Sequence, residues 1–245
     1  MSRLFIRALG WALLLAMAGC ATAPSTSTKN TSKTFTTVVV DAGHGGKDNG
    51  ALRGFGGAEK VVTLDVAKRL AQKLRESQLK TVMTRSRDVS LSLDERIAIE
   101  NSQKNSIFVS IHFNDARRRG VHGFETHYHS ADSSELAHRI QSKLMTIPHS
   151  SNRGVKIANF RVLRLANYPA VLVECGFLSN RSDGKQARDS EYRELLADRI
   201  AEAIVEQRFG ANVYHAPAKA PVQTDALDQG PGLVPPALRD RQWSR

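Results

Sequence analysis

The run Val38-Val39-Val40-Asp41-Ala42 stops abruptly in Gly43-His44-Gly45-Gly46. Three consecutive β-branched residues favour an extended backbone covered on both faces, and the glycines behind them allow angles and close approaches that side chains forbid. Read physically, this is a buried strand that delivers one imidazole to the loop at its carboxyl end, where open α/β sheets place their sites. The same glycines could cradle a phosphate on their amides. They fit neither the dinucleotide nor the P-loop spacing, however, and no Lys-Ser/Thr pair opens a helix after them. A tight connection without chemistry is the remaining alternative.

Further along, apolar residues repeat with alternating periods. Glu59 to Ser77 carries Val62, Val66, Leu70 and Leu74 at helical spacing. Thr81 to Thr84 reads as a short strand. Ser92-Leu93-Asp94-Glu95 has the form of a capping box and starts a helix to about Lys104. Ser106 to Phe113 and Gly123 to His129 read as strands, Ser133 to Thr146 as a helix and Val155 to Leu163 as short strands. Ala170 to Glu174 is another buried strand, and Glu191 to Phe209 a closing amphipathic helix. This alternation predicts one three-layer α/β domain, with a mostly parallel or mixed central sheet of about six strands and helices on both faces.

The ends of the chain differ from this middle. Met1 to Cys20 has Arg3 and Arg7 ahead of an apolar stretch from Ala8 to Ala18, too short to span a bilayer comfortably and typical of a secretory signal. Its end, Met17-Ala18-Gly19-Cys20, resembles the bacterial lipobox, in which the cysteine is lipidated; Met17 stands where leucine is usual. Ala21 rather than aspartate follows, which by that resemblance implies the outer membrane. A plain cleaved signal, with Cys20 incidental, is the alternative. Residues 21–34, rich in Ser and Thr, read as a flexible tether. Residues 211–245 hold five of the eight prolines and read as a disordered tail, which leaves 35–210 as the folded domain.

A formal net charge of +11 implies attraction to polyanions, which include nucleic acid, anionic lipid and acidic wall polymers. Export argues against nucleic acid, and no recognition helix or aromatic-basic sheet motif supports it. With Cys20 committed to lipid, Cys175 has no partner for an intrachain disulfide.

Three residues outside the first loop carry chemistry. His112 ends the strand Ile107-Phe108-Val109-Ser110-Ile111 as His44 follows the first, so parallel strands would bring both imidazoles to one sheet edge. A histidine hydrogen-bonded to backbone near the core would look the same. Glu59 opens a helix, where the dipole alone favours a carboxylate, but the loop before it is short enough to fold back beside the histidines. Two His and one Glu with an open fourth position make a catalytic zinc set. Glu174 ends the apolar run Tyr168-Pro169-Ala170-Val171-Leu172-Val173. A carboxylate there is either a buried ion pair or a general base and acid.

With these residues in place the chain resembles the zinc-dependent N-acetylmuramoyl-L-alanine amidases of amidase family 3. The resemblance rests on VVVDAGHGGKDNGA, GGAEKVVTLDVAKRL, TRSRDVSLSLDERIAIEN, SIHFNDA, RGVKIANFRVLR and PAVLVECGFLSN, in the family's order from about Thr37 to Phe209. It implies hydrolysis of the amide between the lactyl group of N-acetylmuramic acid and the L-alanine of the peptidoglycan stem peptide. It also implies one zinc held by His44, Glu59 and His112, with Glu174 as the catalytic residue. Asn49 stands where proline is common, and Cys175 follows the catalytic glutamate; neither change removes a functional atom. Asp41 and Asn114 lie beside the ligands, where an orienting role and a purely structural one are both open. Arg117-Arg118-Arg119 is either a solvated loop or a contact for anionic stem peptide or membrane surface.

Regulated members of the family carry an inserted helix over the zinc. The stretch from Tyr128 to Arg153 has room for one ordinary helix, so the expectation is an enzyme that needs no obligatory activator. A monomer, exported and anchored by lipid on the periplasmic face of the outer membrane, completes the expectation. The competing readings are a non-catalytic peptidoglycan-binding lipoprotein and a zinc hydrolase acting on another wall amide.

Overall fold

The computed structural model describes residues 29–52 and 54–216. The signal and lipidation site expected at 1–20, most of the tether and nearly all of the tail lie outside them. The chain runs β1 (Thr37–Ala42), α1 (Glu59–Glu76), β2 (Lys80–Met83), α2 (Leu93–Ser102), β3 (Ser106–Asn114), β4 (Phe124–Tyr128), α3 (Ser134–Leu144), β5 (Asn152–Ile157), α4 (Arg161–Arg164), β6 (Ala170–Phe177), α5 (Arg181–Arg188) and α6 (Ser190–Phe209). The six strands form one sheet in the order β2-β1-β3-β6-β4-β5. Every neighbouring pair is parallel except β4 and β6. The expected mixed six-stranded sheet is therefore present.

Both faces are covered, as the apolar strands require. On one side Val38, Val40, Ile107, Val109, Ile111, Val171 and Val173 pack against the stripes of α1, α3 and α6, which include Val66, Leu70, Ile140, Leu144, Ile200 and Ile204. On the other, Val39, Phe108, Ala170 and Leu172 meet Ile99 of α2 and Val162 and Leu163 of α4. This second layer is thinner and leaves the carboxyl ends of β1, β3 and β6 open. The capping box is formed: Ser92 Oγ accepts from the Glu95 N–H at 3.2 Å while Glu95 Oε2 accepts from the Ser92 N–H at 2.7 Å. It fixes the first turn of α2 against the sheet edge.

Four sequence expectations need correction. The segment Val155 to Leu163 is not a pair of short strands: β5 ends at Ile157, and Arg161–Arg164 is a helical turn that turns Val162 and Leu163 inward. The helix α5 was not expected, because its sequence RSDGKQAR has no apolar period. The tether ends sooner than residue 34, since Lys29 N–H donates to Asn167 O, Thr31 Oγ1 to Ser106 O and Gln207 Nε2 to Ser32 O. Beyond residue 210, Tyr214 Oη donates to Asp198, so the packed region also reaches past its expected end.

Candidate active site

Strand β1 and its loop set the position of the first imidazole. His44 lies in the left-handed region at φ 61°, which is uncommon for a residue with a side chain. Surrounding hydrogen bonds hold it there. Arg96, one turn into α2, donates to Ala42 O at 2.7 Å and His44 O at 2.7 Å. Arg85 donates to Ala42 O at 2.8 Å and Gly43 O at 2.7 Å, and Thr63 Oγ1 donates to Gly43 O at 2.9 Å. Beneath this loop the buried Asp41 accepts from Thr84 and Arg96 on one oxygen and from Ser110 on the other, each at 2.6 Å. Burial would raise its pKa, but the Arg96 charge and these hydrogen bonds outweigh burial and keep it ionised below the usual range. Asp41 thus orients the loop through Arg96 and touches neither imidazole.

The second imidazole, His112, stands at the end of β3, beside β1 in parallel register. The two rings meet edge to face with centroids 4.8 Å apart. Glu59, the first residue of α1, reaches back between them. Its Oε2 lies 3.0 Å from His44 Nε2 and its Oε1 3.0 Å from His112 Nδ1, while backbone N–H groups of Ala51 and Phe113 donate to it at 2.8 and 2.9 Å. Burial pushes this carboxyl up, but the hydrogen bonds and charge of His112 and His44 overcome burial and hold it well below the ordinary carboxylate range. His44 is fixed from behind by Asp48, whose Oδ2 lies 2.8 Å from Nδ1. That leaves Nε2 free to ligate. In His44 burial lowers the pKa, and the two carboxylates Glu59 and Asp48 reverse the shift and raise it.

These three side chains fit a metal ion. The ligand atoms of His44, Glu59 and His112 all lie within 4.8 Å of one another. Two glycines make room for them: a Cβ on Gly43 would stand 2.3 Å from the His112 ring, and one on Gly50 would stand 2.4 Å from Glu59 Oε2. Imidazole nitrogen and carboxylate oxygen are the donor types of three-ligand catalytic sites that keep one position open.

Glu174 sits on β6 directly beside His112 in the parallel register. Its Oε2 is shut off from solvent and has no hydrogen-bond partner, so it is no buried ion pair. Burial, with His112 and His44 opposing and the Glu59 and Glu125 charges adding, pushes its pKa up to about 7. A carboxyl poised there is suited to accept and return a proton near neutral pH. All four residues line one cleft of about 780 Å³, walled by Ser92, Leu93 and Arg96 on one side and Phe160, Arg161 and Val162 on the other.

All four predicted site residues in the described region, His44, Glu59, His112 and Glu174, therefore come together. Asn114 lines the cleft, its side-chain oxygen accepting from the Asp115 N–H and its backbone carbonyl from the Leu178 N–H, and Cys175 is buried with a free thiol whose pKa burial raises. Asp48, Arg85 and Arg96 were missed. Asp48 follows His44 by four residues in a polar loop, and both arginines lie among polar neighbours in the sequence.

A mixed α/β sheet that brings a His-Glu-His cluster and a buried glutamate into one cleft is the architecture of a hydrolase. Comparison with known proteins gives the family: the profile described as N-acetylmuramoyl-L-alanine amidase matches residues 38–206, and the chain belongs to that family. The N-acetylmuramoyl-L-alanine amidase LytC of Bacillus subtilis (strain 168) is 39% identical over 173 residues, which are 69% of this chain and 35% of LytC. This chain thus spans about a third of that relative's length. The solved structure of N-acetylmuramoyl-L-alanine amidase AmiC2 of Nostoc punctiforme superposes with a TM-score of 0.67 at 37% identity, covering 69% of this chain and 95% of that one. The CwlD amidase from Clostridioides difficile, solved in complex with the GerS lipoprotein, matches with the same TM-score at 33% identity over 70% of this chain and 98% of that one.

Proposed function

We propose that the chain is a zinc-dependent peptidoglycan amidase that cuts between the lactyl group of N-acetylmuramic acid and the L-alanine of the stem peptide. The observation that carries this reading is the unpartnered Oε2 of Glu174 in the same cleft as His44, Glu59 and His112. Those three residues would hold one zinc, which when bound polarises a carbonyl and makes a water more acidic. Glu174 takes the proton from the water that attacks the amide carbon. It then returns that proton to the alanine nitrogen, because an amide does not readily expel an unprotonated amine. Asp48 holds the His44 ring, and Asp41 with Arg96 and Arg85 holds the loop that carries it, so the ligands are arranged before substrate arrives.

The reading extends to place and regulation. Export, with Cys20 lipidated and anchored in the outer membrane, follows from the lipobox-like end of residues 1–20. No helix among the described residues is long and apolar enough to cross a membrane. The enzyme acts as a monomer without an obligatory activator: between Tyr128 and Arg153 lie a single-turn 3-10 segment and α3, and none of the residues in between lines the cleft. Mass analysis of wall fragments digested by the zinc-loaded chain tests the whole. Free stem peptides beginning with L-alanine are expected; cleavage elsewhere in the wall, binding without cleavage, or activity only after a partner protein is added would each refute the corresponding part.

A further inference from the structure

The strand order gives the cleft a direction. Glu174 hands its proton to the departing nitrogen, so the stem peptide leaves on the Glu174 side of the metal ligands. Beyond β6 in that direction come β4 and β5. Glu125 of β4 stands directly opposite Glu174 in the antiparallel register. Directly opposed residues share a face, with Cβ atoms about 4.5–5.5 Å apart. On that face Arg153 and Lys156 of β5 both donate to the same oxygen of Glu125, Lys156 Nζ at 3.0 Å.

Two cations on one carboxylate leave one positive charge over. The Glu125 side chain is only 7% exposed, whereas those of Arg153 and Lys156 are 34% and 44% exposed, so their remaining N–H donors face outward. The Arg153 guanidinium is also held 5.1 Å over the Phe177 ring, which fixes its plane. A salt bridge that served only to fasten the edge strand would need one cation. The distance suits a peptide: two strand spacings, about 10 Å, separate β6 from β5, and extended residues advance about 3.4 Å each. On the proposed amidase reading, we infer that Arg153 and Lys156, braced by Glu125, form the subsite that receives the first free carboxylate of the stem peptide after L-alanine.

Two muramoyl-tripeptides that differ only in a free α-carboxylate or a carboxamide on the second residue test this. The full zinc-loaded chain should favour the acid by about tenfold in KM. Lys156→Gln and Arg153→Gln should each remove most of that preference with kcat within about twofold, leaving the amide's KM unchanged. Because Arg153 also braces β5, the more exposed Lys156→Gln decides if Arg153→Gln fails to fold. Calorimetric binding of the corresponding free tripeptides, acid and amide, reads the same subsite without turnover. Equal affinity for both peptides, or an equal loss for both substrates in Lys156→Gln, overturns the subsite. A wild-type chain that binds the acid peptide preferentially but never cuts muramoyl-peptide overturns the amidase reading and leaves the subsite standing.

Discussion

Glu174 shows how a single residue's environment can be read in the sequence. A carboxylate closing an apolar strand is costly unless it has a partner or a task, and Oε2 has no partner. Glu174→Gln keeps the shape and removes the base. Release of L-alanine-terminated peptides should fall about 100- to 10,000-fold, while zinc content by atomic absorption stays at that of the wild type. A variant near wild-type rate would remove Glu174 from its role. Asp48 could not have been found this way, because an aspartate in a polar loop has no burial cost to betray it; only the 2.8 Å contact with His44 Nδ1 identifies it. Asp48→Asn should weaken zinc affinity about 10- to 100-fold in competition with a chelating dye, with stability nearly unchanged.

At the scale of elements, the strands were legible because β-branched runs covered on both faces have few alternatives. The capping box announced α2 correctly for the same local reason. By contrast α4 and α5 are short, and their conformation is set by what they pack on: Val162 and Leu163 turn inward to cover Phe108 and Leu172. The loop after β1 tolerates little. Gly43→Ala would drive a Cβ into the His112 ring, and the expected result is a folded protein with circular dichroism like the wild type but substoichiometric zinc.

The inner end of α2 offers a separate test. Glu100 is buried with neither carboxylate oxygen fully hydrogen-bonded, and burial, only partly offset by the Tyr168 and Asn167 N–H groups, pushes its pKa up to about 8. A raised folded-state pKa means that this group's stability contribution is intact below the ordinary value of 4.5 and is lost as pH climbs toward 8. Thermal melts between about pH 5 and 8 should therefore show a decline in Tm that Glu100→Gln reduces. Parallel declines in both proteins would refute this account.

For the molecule as a whole, the order of layers was legible in the alternating periods, and the convergence of His44, His112 and Glu174 in strands that end alike. The extent of the packed domain was not legible there. Residues such as Thr31 and Ser32 look like tether until Ser106 and Gln207 are seen to hydrogen-bond with them. Export and anchoring are tested by fractionation: Cys20→Ser should move the protein from the membrane pellet to the soluble fraction. The chain enters at Lys29 and Phe35, against Asn167 and the last turn of α6, where Arg208 donates to Phe35 O. That is the floor of the sheet, and β1 rises from it through six residues, about 20 Å, before reaching the histidine loop. The N-terminal end of the packed region therefore leaves from the side opposite the cleft. On the proposal that Cys20 carries the lipid, a chain entering from below turns the opening away from the membrane and toward the polymer overhead.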